Sequence, residues 1–386
     1  MTNVKGSKSE ERQSTTLEII QLCLSRWSKK FKVSDDPQDP RLISEPWKFT
    51  ADQRLVCPRM TIGELPDDVL LEIFSSYLGH QRGNEDAWHA LVHVCRRWRC
   101  LVFASPRHLH LRLLLSHEGP VGNPGPLDVW PELPITIRAD LCATWRPRMQ
   151  ALMANVITAL EQHDRVYEIV LGGYPNSLLT IFHAMEKPFL SLVNLKIGSI
   201  VIDGLMIPDS FLVGSAPRLQ SLEFIGILCP EIEKLLLSTP NLVFLRLDFI
   251  HRSGRGYTSP EAMVKGLSVL TRLKSLRLLF LMTTPPSQSL QASGHPFPFA
   301  RVILPALTDI DFFGDKEYLE DFVSRIDTPL LTNITISFID QSVSVTPPLC
   351  DFISRTETFG AYSKMDTYPS GYHATIEFFR RDGEGD

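Results

Sequence analysis

The chain has 386 residues, 44% of them hydrophobic, and a formal net charge of −5. That is enough apolar material for two or three folded domains, and it carries no basic excess to draw nucleic acid. Seven scattered cysteines, odd in number and never spaced as CxxC, fit a reducing compartment. Met1 to Ser14 lacks the apolar core of a secretory signal and no run approaches a membrane span, so a cytoplasmic or nuclear protein is expected.

Residues 1–60 read as a leader. The first fourteen residues are expected to be disordered, and Thr15 or Thr16 then caps an amphipathic helix with Leu17, Ile20, Leu24, Trp27 and Phe31 on one stripe. The stripe is expected to pack on the protein's own body, a membrane-seeking or partner-binding helix being the alternative, and Val33 to Pro46 is read as a linker. Residues 61–112 change character. Val69, Leu70, Ile73, Phe74, Tyr77 and Leu78 fall at helical spacing behind Pro66, Asp67 and Asp68, residues suited to a helix start. Trp88, Leu91, Val92, Cys95, Trp98, Leu101 and Val102 make a second helical stripe, stopped at Ser105-Pro106. The polar joint Gly79 to Glu85 separates the two. Two short helices cannot bury so many large apolar groups between themselves, so either another chain or the rest of this one covers part of them.

In this order and at this distance LPDDVLLEIF, SYL and VCRRWRCLV resemble an F-box. The resemblance implies a helical module that docks on a Skp-type linker protein and, through it, on a cullin. It assigns that contact to Leu65, Pro66, Val69, Leu70, Ile73, Phe74 and Leu78, with Val94, Cys95, Trp98 and Leu101 from the second stripe. The longer joint and Trp88 depart from the usual pattern.

Residues 113–165 form a connecting segment: a Gly- and Pro-rich loop at Gly119 to Pro126, a short strand ending near Arg138, and a helix over Arg146 to Gln162. Over 166–380 a unit recurs, with an apolar residue, two others, an apolar residue, one other and an apolar residue. The triplets are Val166, Ile169, Leu171; Leu192, Leu195, Ile197; Leu219, Leu222, Phe224; Leu242, Leu245, Leu247; Leu273, Leu276, Leu278; Leu307, Ile310, Phe312; and Leu331, Ile334, Ile336. Helix signals lie between them at Pro230 to Leu237, Ser259-Pro260-Glu261 and Asp315 to Ile326, and Ala374, Ile376 and Phe378 suggest one more strand. Two enlarged steps hold the basic turn His251 to Gly256 and a Pro- and Ser-rich loop over Met282 to Phe299. Residues 381–386 are a polar tail.

These spacings resemble leucine-rich repeats, although the Asn or Cys that many such repeats place after the last apolar residue is absent. The expected fold class is therefore α/β, a short all-helical F-box module followed by an irregular leucine-rich-repeat solenoid with a curved parallel sheet. The two resemblances together point to the fungal-type F-box and leucine-rich-repeat family. The bland alternative is an ordinary α/β domain. No catalytic constellation, cofactor motif or metal set stands out. His89 and His93 are one helical turn apart without a metalloprotease order, and no P-loop, GxSxG or GxGxxG occurs.

Binding chemistry is better supported. The residue between the two inward positions of each strand faces the concave side, giving Val170, Lys196, Glu223, Arg246, Arg277, Asp311 and Thr335, with Asp309 beside Asp311. Lys196, Glu223, Arg246, Arg277, Asp309 and Asp311 are the candidate target-binding residues, suited to a polar peptide or to an acidic or phosphorylated segment near the two arginines. A solvated face without a ligand is the alternative. By resemblance the chain is the non-catalytic substrate receptor of a Skp-cullin-F-box ubiquitin ligase. The alternative is a protein-interaction scaffold outside any ligase.

Overall fold

The structure, a computed structural model, describes residues 62–80, 87–116, 133–142, 146–201, 205–251, 258–282, 301–339, 346–356, 358, 365–370 and 373–379. The expected leader helix, the loop at 119–126, most of the basic turn and of the loop that follows Met282, and the tail lie outside these residues. The chain divides into two compact units, Met1–Arg112 and Leu113–Asp386.

In the first unit α1 spans Asp67–His80, α2 Trp88–Val92 and α3 Arg96–Ala104. Asp67 and Asp68 lie in the first turn of α1, where carboxylates complement the helix dipole. The second apolar stripe was expected to be one helix and is two. Cys95 interrupts it in extended conformation, φ −156° and ψ 170°, with its Sγ accepting from the Trp98 amide at 3.5 Å. The apolar spacing runs on across this break, which is why periodicity conceals it. His93 follows α2 as its C-cap in right-handed helical conformation, φ −92° and ψ −7°, so the His89 and His93 pair lies at the end of α2.

The second unit is built on an eleven-stranded sheet. In sheet order the strands are β1 (Leu113–Ser116), β2 (Ile135–Leu141), β3 (Val166–Gly173), β4 (Asn194–Ser199), β6 (Ser221–Ile225), β8 (Phe244–His251), β9 (Ser275–Met282), β11 (Asp309–Gly314), β13 (Asn333–Ile339), β15 (His373–Phe379) and β14 (Met365–Ser370). The first nine are mutually parallel. The expected last strand, β15, instead runs antiparallel to β13 and pairs with β14, which no triplet announced. Strand β1 was likewise missed, because LLLS is too short to show a period. Two-residue strands β5 (Leu205–Met206), β7 (Ile227–Leu228), β10 (Val302–Ile303) and β12 (Ile326–Asp327) form two minor sheets, β5 with β7 and β10 with β12.

Helices supply most crossovers: α4 (Arg146–Glu161), α5 (Pro175–Ala184), α6 (Ile232–Leu237), α7 (Pro260–Leu267), α8 (Lys316–Ser324) and α9 (Pro347–Arg355). Their starts have local causes. Ser259 Oγ accepts from the Ala262 amide ahead of Pro260, and Asp315 Oδ1 accepts from the amides of Glu317 and Tyr318. Helix α4 packs on α5, while α6, α7, α8 and α9 pack in file.

The triplets fall into register. Ile169, Leu195, Leu222, Leu245, Leu276, Ile310 and Ile334 lie opposite one another strand by strand, as do Leu171, Ile197, Phe224, Leu247, Leu278, Phe312 and Ile336. All are buried. The register is set one residue before each strand. The amides of Val193, Gln220, Val243, Lys274, Thr308 and Thr332 donate at 2.8 to 2.9 Å to the carbonyls of Tyr167, Val193, Gln220, Val243, Lys274 and Thr308. Side chains reinforce the same rim: Thr308 Oγ1 donates to the Lys274 carbonyl at 3.0 Å and Thr332 Oγ1 to the Thr308 carbonyl at 3.1 Å. Gly226 shows how tightly neighbouring strands meet. Its φ is +66°, and a Cβ there would stand 3.0 Å from the Ser199 carbonyl oxygen.

Burial alternates along β4, β6 and β11, so one face of the sheet is sealed and the other is open. Parallel sheets covered on both faces carry continuous apolar runs, and these strands do not. Truncating Leu222, fully buried in the middle of the register, to alanine is expected to cost about 2–5 kcal/mol. Urea unfolding of wild type and variant measures it.

Candidate functional site

The first candidate surface belongs to the helical unit. Helices α1 and α3 pack together, burying Leu70, Ile73, Phe74 and Tyr77 on the first and Trp98 and Val102 on the second; the Phe74 and Trp98 ring centroids are 4.6 Å apart at 58°. Burial raises the pKa of the Tyr77 hydroxyl. The eleven expected docking residues therefore separate into two groups. Leu70, Ile73, Phe74 and Trp98 are interior and cannot present themselves to a partner without unpacking the unit. Leu65, Val69, Leu78 and Leu101 are half-buried, and Pro66, Val94 and Cys95 are exposed, Val94 to 52%. The interior group is the support on which the outer group stands.

Arginines from VCRRWRCLV hold the pieces together, a role the sequence does not assign. Arg97 Nη2 donates to the Leu65 carbonyl and to Asp67 Oδ1, both at 2.6 Å, and its Nε donates to the same carboxylate oxygen at 3.1 Å. Arg99 Nε donates to the Val92 carbonyl at 2.9 Å and so spans the break between α2 and α3. Trp88 Nε1 donates to the Arg112 carbonyl at 3.1 Å.

The second candidate surface is the open face of the sheet. Register places Arg138, Val170, Lys196, Glu223, Arg246, Arg277, Asp311 and Thr335 in one row across eight strands. Adjacent members of such a row stand about 4.8 Å apart, within reach of ion pairing. Lys196 Nζ lies 2.9 Å from Glu223 Oε2, and Arg277 Nε lies 3.9 Å from Asp311 Oδ2. Arg277 also sits over the Phe244 ring, 5.9 Å from its centroid. Asp309, two residues before Asp311, accepts from Asn333 Nδ2 at 2.7 Å.

The sequence reading missed two carboxylates that govern this row. Asp248, with a side chain only 4% exposed, accepts from Arg246 Nε at 3.1 Å and from Nη2 at 2.7 Å. Glu168, also withdrawn, accepts from Arg138 Nη2 at 2.8 Å. Asp248 escaped notice because it follows Leu247, outside the apolar triplet. Its position corrects the expectation for Arg246, whose guanidinium fork is already taken up by a carboxylate of the same strand, and this bond raises the arginine's pKa further. Arg277 is the more loosely paired cation of the two. Burial raises the Asp311 carboxyl above the usual aspartate range, although Arg277 and Arg246 pull it down.

Among the described residues no group of three or more His, Cys, Asp or Glu converges as a metal site, and no helix is long and apolar enough to cross a membrane. Two surfaces stand out: a partly exposed apolar edge on the helical unit, and an open, charged face on the sheet. A family model describing an F-box-like domain matches residues 62–113. No curated protein matches the chain.

The raised Asp311 carboxyl sets a pH dependence. A folded-state pKa above the unfolded one means that protonation stabilises the fold, a contribution lost as pH rises through the folded value. Asp311→Asn, which cannot ionise, is therefore expected to be more stable than wild type at pH 7, with the difference shrinking toward pH 3. Urea unfolding of both proteins at the two pH values checks the sign.

Proposed function

We propose that the chain is the substrate-receptor subunit of a Skp-cullin-F-box ubiquitin ligase, and that it performs no chemistry itself. The observation that carries this reading is the F-box-like match at residues 62–113, on a unit whose exposed edge begins at Leu65-Pro66. The outer residues Leu65, Pro66, Val69, Leu78, Val94, Cys95 and Leu101 meet the Skp-type linker protein, and Leu70, Ile73, Phe74 and Trp98 hold them in place. Residues 61–112 act as the F-box, and 113–165 as a connecting segment that also contributes the first two strands of the sheet.

Residues 166–380 act as an irregular leucine-rich-repeat body whose open face receives the protein target. Seven triplets in register and a sheet alternating sealed and open along its strands support this. On that face Lys196, Glu223, Arg246, Arg277, Asp309 and Asp311 form paired charges rather than a basic patch, so the target is read by alternating charge, with Arg277 the readiest acceptor of an acidic group. Fixing both target and ligase on one chain raises the effective concentration of the target near the ubiquitin-charged conjugating enzyme, so that catalysis is assisted by positioning. Work in the cytoplasm or nucleus accords with this role.

Co-purification tests the docking half. The double change Leu65→Ala, Pro66→Ala is expected to abolish recovery of the Skp-type protein while far-ultraviolet circular dichroism stays unchanged. Undiminished recovery would remove the assignment.

A further inference from the structure

The geometry points to Arg97 as a positioning residue for the docking edge, an inference that rests on the docking role proposed above. Pro66 heads α1, its carbonyl accepting the first helical bond from the Leu70 amide at 3.0 Å, but it has no amide hydrogen of its own, and Leu65 before it lies outside the helix. Arg97 supplies what the helix does not. From the first turn of α3 its guanidinium grips the Leu65 carbonyl on one side of Pro66 and the Asp67 carboxylate on the other, at 2.6 Å each, with Nε adding a third bond at 3.1 Å. One planar group thus fixes both neighbours of the exposed proline. A lysine ammonium, a single point charge, cannot reproduce that fork.

The same ion pair does little for the stability of the fold. The Arg97 and Asp67 side chains are 40% and 62% exposed, and pairs this wet contribute little to folding because water and salt screen them. Its effect falls instead on binding. An edge already ordered before association does not lose conformational freedom when the partner arrives, whereas an untethered edge does. Of three arginines in VCRRWR, the fold assigns this task to Arg97 and the α2–α3 break to Arg99.

The test uses the full-length chain and a Skp-type linker protein. Arg97→Met, which keeps the aliphatic stem and loses every donor, is expected to weaken the dissociation constant roughly tenfold, with Arg97→Lys recovering only a small part. Hydrogen exchange in the free chain is expected to rise over residues 62–70 and not over 88–104, with the thermal midpoint unmoved. Unchanged affinity in Arg97→Met, beside a wild type that binds, overturns the inference alone. Weaker binding without faster exchange makes Arg97 a direct contact, and weaker binding with a lowered midpoint makes it a structural residue; either result also overturns it. A wild type that fails to bind removes the docking reading itself, and this inference with it.

Discussion

The body of the molecule depends on one constraint, that each strand must start level with the strand before it. A backbone hydrogen bond at the start of every repeat enforces this from Tyr167 to Thr332, and the hydroxyls of Thr308 and Thr332 double it. Side chains alternate along a strand, so a slip of one residue would send an entire apolar set to the wrong face. With the start fixed, Leu195, Leu222, Leu245 and Leu276 all enter the core, and the residues between the inward positions all reach the open face. The open, charged face is a by-product of how the core is sealed.

That surface is more self-contained than its charges alone imply. In four ion pairs along the open face the carboxylate is the less exposed partner: Glu168 below Arg138, Glu223 below Lys196, Asp248 below Arg246, and by a narrow margin Asp311 below Arg277. A partially desolvated carboxylate is tolerated only where a cation or donor satisfies it. The cations therefore have two duties, holding the floor of the face and forming its outer layer. Arg246 is committed to the first duty by its contacts with Asp248. Arg277, at 3.9 Å from its carboxylate and over an aromatic ring, is freer for the second.

The helical unit solves a different problem, how to keep apolar residues at a surface without collapse. Phe74 and Trp98 form a rigid centre, and residues outside that centre cannot follow them inward because the interior is already filled. Polar bonds then set the edges. Arg97 fixes the stretch before α1, and Arg99 and Trp88 fix the shorter helices around it.

Much of the arrangement could be read from the chain alone. Leucine and isoleucine at a repeated spacing require one buried face, so the seven strands, their parallel order and the row from Val170 to Thr335 follow from pattern and from the two-residue period of a strand. Ser259 and Asp315 likewise announce their helices through local capping chemistry. Three things were decided only by tertiary structure. The break at Cys95 lies inside an unbroken apolar period, because a helix and a kinked pair of helices bury the same spacing. Antiparallel β14 and β15 close the sheet without a triplet, since the last strand needs a partner and not a further repeat. The partners of Arg97 and Arg246 stand 30 residues and two residues away respectively, and neither distance marks them in a sequence. Periodicity records which side chains must be hidden from water, whereas hydrogen bonds between polar groups are made wherever folding happens to bring a donor and an acceptor together.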